Sequence, residues 1–501
     1  METSIEVSDL REFGRLVRAE WTTFRTARGW VLGTVGAVVV IVLLGLFAAS
    51  KSQSFCSNGT VEVECPTPPV GPDGEAVRDK FYFVHQPLAG DGAITVRVTS
   101  MTGLITYPPP NHDEIVPGLV EWAKAGVIAK GGTAQGSRYV ALMVTAEHGV
   151  RMQHDFIHDT AGKPAAVSAG APRWLRLTRV GDTLTGEESA DGASWTRVGT
   201  ATLAGTVEIG LFVTSPSDLT VDRRAGGGTV QARLAKATAT FDNVGLTGTR
   251  PGGDWLRDDI GAEPNPDGTP HHPGGVEVAG GVLTVSGNGD IAPLTGESGT
   301  GVQLVLIGLV IGLIMVIVVA ALFVTTELRR GRVLAAKAVV LGAVTFVAGT
   351  AAAALVLPLA WGVLRDNGSR QPGLPLPTIV RVAVETGLLV AGTALLALGL
   401  GALLRRGPAA VGIAVAAVVV PYLAAVLGGL PPAASEWLLR LTPAAAFAIQ
   451  QVAPEYAHVL AYYTPGSGYY PLPAWGGLAV LAGYVALVLG LASARLRRTD
   501  A

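Results

Sequence analysis

Six long apolar stretches, with a single polar block at residues 50–300 wedged between the first and the second, constrain this chain more than any other feature. A helix needs about 20 largely apolar residues to cross the hydrocarbon of a bilayer. Trp30–Ala49, Val302–Val324, Ala338–Leu364, Val382–Leu404, Pro408–Leu430 and Trp475–Leu491 read as such spans. The second has no charged residue at all. Charged residues make up 15% of the chain, against about 25% in soluble domains. Part of the molecule is therefore expected in lipid. Arg25 and Arg28 precede the first stretch as in a signal peptide. It starts late, however, and no small-residue cleavage site follows, so it reads as an uncleaved span.

Orientation follows from Arg and Lys in the short loops. Arg11, Arg15, Arg18, Arg25 and Arg28 precede span 1, and Arg329, Arg330, Arg332 and Lys337 separate spans 2 and 3. Arg405 and Arg406 separate spans 4 and 5, and Arg495, Arg497 and Arg498 follow span 6. The alternate loops hold fewer: Arg365 and Arg370 in one, Arg440 in the other, with Arg381 at the mouth of span 4. Both termini are thus expected in the cytoplasm and residues 50–300 outside the cell membrane; Arg exceeding Lys by 30 to 7, with Ala, Gly and Val dominant, points to a GC-rich bacterial source.

The expected order is an amphipathic interfacial helix (1–28), span 1 (29–49), a linker with Cys56 and Cys65 (50–74), a β-domain (75–249), and a strand-bearing segment (250–300). Then come span 2 (301–325), a short cytoplasmic link (326–337), span 3 (338–364), a loop (365–378), span 4 (379–404) and span 5 (408–430). An external segment of re-entrant or interfacial helices (431–474), span 6 (475–493) and a tail (494–501) complete the chain. In Ser8–Thr26, Leu10, Phe13, Leu16, Val17, Trp21 and Phe24 recur at helical spacing with arginines between, the pattern of a helix lying in the headgroup layer. Glu385 lies within span 4, four residues after Arg381. An ionisable group there is a functional candidate, or an i,i+4 ion pair near the interface.

Residues 50–300 switch to short alternating runs punctuated by Gly, Asp, Asn and Pro, as antiparallel strands do. Phe81–His85, Ala93–Thr99, Ala125–Ala129, Tyr139–Thr145, Trp174–Val180, Val207–Val213 and Ala237–Val244 are examples. Asp191-Gly192 between Thr183–Ser189 and Ser194–Val198 has hairpin chemistry. The expected fold class is therefore an α-helical integral membrane protein with six transmembrane helices, carrying an all-β jelly-roll sandwich outside. Outside the cell, Cys56 and Cys65 are a disulfide candidate.

Motifs for chemistry are sparse. No G-x-x-x-x-G-K-[ST] occurs, so no P-loop, and neither H-E-x-x-H nor G-x-S-x-G is present. Glu187 and Glu188 are adjacent, so on a strand they face opposite ways, which disfavours a paired-carboxylate glycosidase. On one strand His154 and His158 would share a face, making them weak metal candidates beside a plain polar strand end. His271-His272 sits in a Pro/Gly-rich linker. Near-neutral charge, 37 Lys+Arg against 39 Asp+Glu, argues against a nucleic-acid partner.

The order of elements, with Arg18-Ala19-Glu20-Trp21-Thr22 before span 1, Thr325-Thr326-Glu327, and Gly331-Arg332-Val333-Leu334-Ala335-Ala336-Lys337 before span 3, resembles a type-2 ABC transporter permease. That resemblance covers residues 1–50 and 300–501. It implies an exporter subunit dimeric with itself or with a paralogous permease, ATP hydrolysed on a separate ATP-binding subunit, and no cofactor on this chain. It also implies ATPase coupling through Arg18, Glu20, Trp21, Glu327, Arg329 and Arg330. One departure is plain: Glu327–Arg332 runs almost directly into span 3, where the family carries a short coupling helix, so the N-terminal helix would carry more of the contact.

The external block resembles a concanavalin A-like (laminin-G-like) lectin/glucanase domain, on Phe81-Tyr82-Phe83-Val84-His85, Gly92–Val98, Trp122–Gly126, Arg173–Leu177 and Asp191-Gly192-Ala193-Ser194-Trp195. Trp255–Ile291 resembles the opening strand of such a domain, placed last, and is expected to complete the sandwich. That likeness implies a domain that gates, docks a partner or binds cell-wall glycan. The alternative reading is a membrane-anchored carbohydrate-binding or envelope-interaction protein that does not transport.

Overall fold

The structure, a computed structural model, describes residues 2–54, 56–58, 61–63, 65–106, 114–164, 166–168, 170–224, 227–248, 254–262, 269, 273–295, 297–325, 331–369, 373–427 and 430–499. Its helices are α1 (Glu2–Thr26), α2 (Arg28–Lys51), α3 (Glu297–Val305), α4 (Leu309–Thr325), α5 (Gly331–Asp366), α6 (Leu376–Leu404), α7 (Gly407–Val426), α8 (Pro432–Leu441) and α9 (Ala474–Thr499). Among the described residues, α2, α5, α6, α7 and α9 are long and apolar enough to cross a membrane.

The expected second span is not one continuous helix. It breaks at Leu306–Gly308, which leaves α4 with 17 residues. The reason is tertiary: a Cβ on Gly308 would lie 2.7 Å from Ile41 O, so the chain turns where it crosses the α2 backbone. Other ends move as well. Gly331–Lys337, expected as link, is already the first part of α5. The first helix begins at Glu2 instead of Ser8, and α6 begins at Leu376. The fifth span ends at Val426, and the last helix runs on through the expected tail to Thr499. Hydropathy marks where a helix is apolar; the backbone continues wherever polar residues can face water or headgroups. Pro358 and Pro421 lie inside α5 and α7, where neighbouring helices can re-satisfy the freed backbone groups. Small residues bring the helices close: Gly387 of α6 lies against Phe346 O and the Thr350 hydroxyl of α5.

Between α2 and α3 stands a two-layer antiparallel structure. One sheet has seven strands, in the order His158–Ala161, Val150–His154, Tyr139–Thr145, Lys124–Lys130, Val207–Thr214, Phe81–Leu88 and Leu256–Ile260. The second runs Thr196–Thr202, Thr183–Ser189, Arg173–Val180, Gly92–Thr106, Gly227–Gly248, Val282–Gly287 and Gly275–Ala279. Asp218–Arg224 and Ile115–Pro117 attach beside this path, giving nine strands. Residues 254–293 therefore place strands at the edge of both sheets, and Ile291–Pro293 pairs with Val77–Asp79.

Ile94, Val96, Leu142, Leu177, Leu211 and Phe241 fill the space between the sheets. A second apolar layer (Phe81, Phe83, Ile128, Tyr139, Phe156, Phe212) covers the other face of the seven-stranded sheet. Lys124–Lys130 and Tyr139–Thr145 are accordingly buried at every position. The Asp191-Gly192 turn leaves Gly192 at φ +76°, with the Asp191 carboxylate accepting from the Ala193 and Ser194 amides. Those residues are spent on the turn, so the second hairpin strand starts at Thr196 and not at Ser194.

Candidate functional site

At the end of α2 away from the sandwich, α1 packs against the start of α5. Phe24 of α1 is buried edge-on to Phe323 of α4, at 5.6 Å between centroids, and Trp30 meets the same ring at 4.9 Å. Above that cluster the Lys337 ammonium lies 3.0 Å from the Glu20 carboxylate and 4.2 Å from the Phe323 ring centre. Lys337 is 2% exposed. Further out, Arg332 reaches Glu12 at 3.2 Å. A buried pair of this kind costs desolvation and is held by geometry; removing one partner leaves the other charge stranded.

Of the coupling candidates, Glu20 is thus the one drawn into the fold. Arg18 and Trp21 stay exposed on α1. Glu327, Arg329 and Arg330 lie outside the described residues. Lys337 was not singled out as a site residue. Its signal was a lone lysine at the junction of a basic segment and an apolar helix.

The other end of the bundle holds a second polar system. The Gln303 amide of α3 donates to Pro465 O (2.5 Å) and to the Tyr470 hydroxyl (2.7 Å). Tyr470 donates in turn to Gln450 Oε1 (2.7 Å), which also accepts from the Tyr422 hydroxyl (3.1 Å). The Tyr470 amide donates to Gln451 Oε1 (2.9 Å), and Arg381 donates to Gln451 O (3.0 Å). Arg381 and Glu385 form the i,i+4 pair, at 2.9 Å. One connected network therefore ties α3, α6, α7 and the segment between α8 and α9. Tyr470 is its node. Tyr470→Phe strands the Gln303 donor and removes one of two donors to Gln450, and is expected to cost about 1–3 kcal/mol. Tyr422→Phe, which leaves Gln450 its Tyr470 bond, should cost less; melting in detergent ranks the two.

Between α2 and the sandwich, Cys56 and Cys65 form a disulfide beside the small hairpin Cys56–Asn58/Val61–Val63, with Cα atoms 5.0 Å apart. His154 and His158 do not lie on one strand. They face each other across a hairpin, rings stacked at 4.3 Å, because Asp155–Ile157 turn the chain between them. Among the described residues no group of three or more His, Cys, Asp or Glu could hold a metal ion. His271 and His272 lie outside the described residues. Glu187 faces out to Arg176 at 2.7 Å, whereas Glu188 is buried and accepts from the Lys163 amide.

No protein-family model matches this chain, and no curated protein matches it. Among solved structures it is similar to a functionally unknown protein from Saccharomyces cerevisiae, at 15% identity and TM-score 0.22, over 41% of this chain and 95% of that one. It is also similar to scytalido-glutamic peptidase with a transition state analog inhibitor, at 8% identity and TM-score 0.26, over 43% of this chain and 100% of that one. Likenesses at these scores carry no argument about fold or activity.

Proposed function

We propose that this chain is the membrane-spanning half of an ABC type-2 exporter in a bacterial cell membrane, acting as a dimer with itself or a paralogous permease. A separate ATP-binding subunit supplies the hydrolysis. On this reading α4 is the second of six spans, both termini are cytoplasmic, and the concanavalin A-like jelly roll stands outside. The observation that carries the reading is the clamp of α1 onto α5 through Glu20 and Lys337. An interfacial helix locked to the foot of a span can pass a push from a cytoplasmic partner into the bundle. The polar network at the far end gives that push a set of hydrogen bonds to rearrange.

A second reading rests on a different observation. Only residues 326–330 separate α4 from α5, fewer than two turns of helix at about 3.6 residues per turn. A permease coupled by a helix in that link has no room for it here, which favours an anchored envelope-binding protein. Affinity purification of the full chain from its native membrane in mild detergent separates the two. A stoichiometric ATP-binding subunit supports the exporter. An envelope protein or cell-wall glycan, without such a subunit, supports the anchor.

A further inference from the structure

The broadest surface of the seven-stranded sheet is its outer face. It is not free. The ribbon of Val77–Asp79 and Ile291–Pro293 lies over it, and Phe83, Ile128, Tyr139 and Phe212 beneath are at most 1% exposed. Lys130 is held there by Asp79 (2.7 Å), and Lys124 by Asp290 (2.6 Å) and Ile291 O (2.8 Å).

At the margin of this face, the turn between His154 and His158 has both Asp155 (φ 46°) and Phe156 (φ 65°) in the left-handed region. That conformation is costly for a residue as bulky as Phe and marks a place to look for function. The turn is braced: Arg138 donates to the Asp155 carboxylate (2.5 Å). Against burial, which raises it, bonds from His154 and Arg138 hold that carboxylate down to about 2. The Phe156 side chain is packed into the layer, and its carbonyl is left to accept a hydrogen bond.

The donor comes from the helical part of the molecule. His458, between α8 and α9, donates from Nε2 to Phe156 O at 2.8 Å and is 3% exposed. Four residues on, the Tyr462 hydroxyl donates to Leu219 O of the strand Asp218–Arg224, at 3.0 Å. We propose that the braced Asp155-Phe156 turn is a docking socket for the chain's own segment 456–462, with His458 as its key. The margin of this face, together with the strand Asp218–Arg224 of the other sheet, then carries the sandwich on the segment that joins α8 to α9, and is not available to a soluble glycan. The inference stands whether or not the chain is an exporter.

The groups around His458 are Lys124, Asp159 and Asp290 of the sandwich and Tyr456 of its own segment. Burial holds the docked imidazole below its ordinary value of 6.5; the Phe156 bond opposes this, Lys124 adds to it, and Asp159 and Asp290 oppose it. A group whose value falls on docking favours the undocked state when protonated. The imidazole's contribution to docking is therefore fully present above its ordinary value of 6.5 and is lost as the pH falls below it.

Amide hydrogen exchange of the full chain in detergent tests this. At neutral pH, His458→Ala should raise exchange in residues 455–463 and 154–158 by about tenfold, the loss of one buried hydrogen bond. The strands Lys124–Lys130 and Tyr139–Thr145 should keep their protection. Acidifying the wild type from about pH 7.5 to about 5.5, across the imidazole range and corrected for intrinsic rates, should loosen the same two segments. His458→Gln, which keeps a donor, should stay docked and lose that pH response. Tyr462→Phe should loosen residues 455–463 by a smaller factor. Unchanged exchange in both His458→Ala and Tyr462→Phe, or a wild type indifferent to pH, overturns the proposal.

Discussion

Replacing residues 254–293 by a Gly/Ser linker of the same length is expected to unfold the sandwich and leave the helical bundle folded. The segment supplies an edge strand to each sheet and half of the ribbon over the seven-stranded face. Its removal takes away Val285, Ile260 and Ile291, all 4% exposed or less, each worth about 1.5–3 kcal/mol when buried. It also strips Lys124, 0% exposed, of Asp290 and of Ile291 O. A stranded buried charge costs about 3–5 kcal/mol. Together these reach the whole stability of a typical domain, about 5–15 kcal/mol. Limited proteolysis of the variant should cut within residues 75–249, while the far-ultraviolet helix signal persists. A sandwich that stays resistant to protease would mean that the segment is an appendage.

The second large effect is expected at the other end of the molecule. Lys337→Ala leaves Glu20 without its cation against an aromatic cluster, and should destabilise the junction of α1 and α5 by about 3–5 kcal/mol. α1 should then come away, and trypsin should reach Arg15 and Arg18 much sooner than in the wild type. The double variant Glu20→Leu/Lys337→Met removes both charges and keeps apolar volume, so it should recover most of the loss. If the single variant resists trypsin as well as the wild type does, α1 is held by Phe24 and its aromatic neighbours alone.

Much of this architecture is legible in the sequence because it rests on patterns that do not depend on partners. The apolar stretches mark the helices, and Asp191-Gly192 marks its hairpin. What escapes is set by tertiary contact. Nothing in Leu306-Ile307-Gly308 announces a break; Gly308 needs the backbone of α2 beside it. Lys124 and Lys130 look like solvent-facing residues of alternating strands, yet a ribbon from distant parts of the chain closes over them. Of the long strand Gly227–Gly248, only Ala237–Val244 shows in the alternation; the remainder lies behind glycines and basic residues. Of the site residues, Arg381 and Glu385 pair as their spacing suggests. Lys337 and His458 gain their meaning only from what lies across from them, and a single sequence does not display that.

On the proposed exporter function, this chain would turn ATP hydrolysis on a partner into movement of its own helices. Vanadate-sensitive ATP turnover by the complex purified from native membranes measures it most directly. Such turnover is expected, with Lys337→Ala lowering it and Glu20→Leu/Lys337→Met restoring it. A purified chain with no associated hydrolysis, or hydrolysis indifferent to Lys337→Ala, would contradict that function.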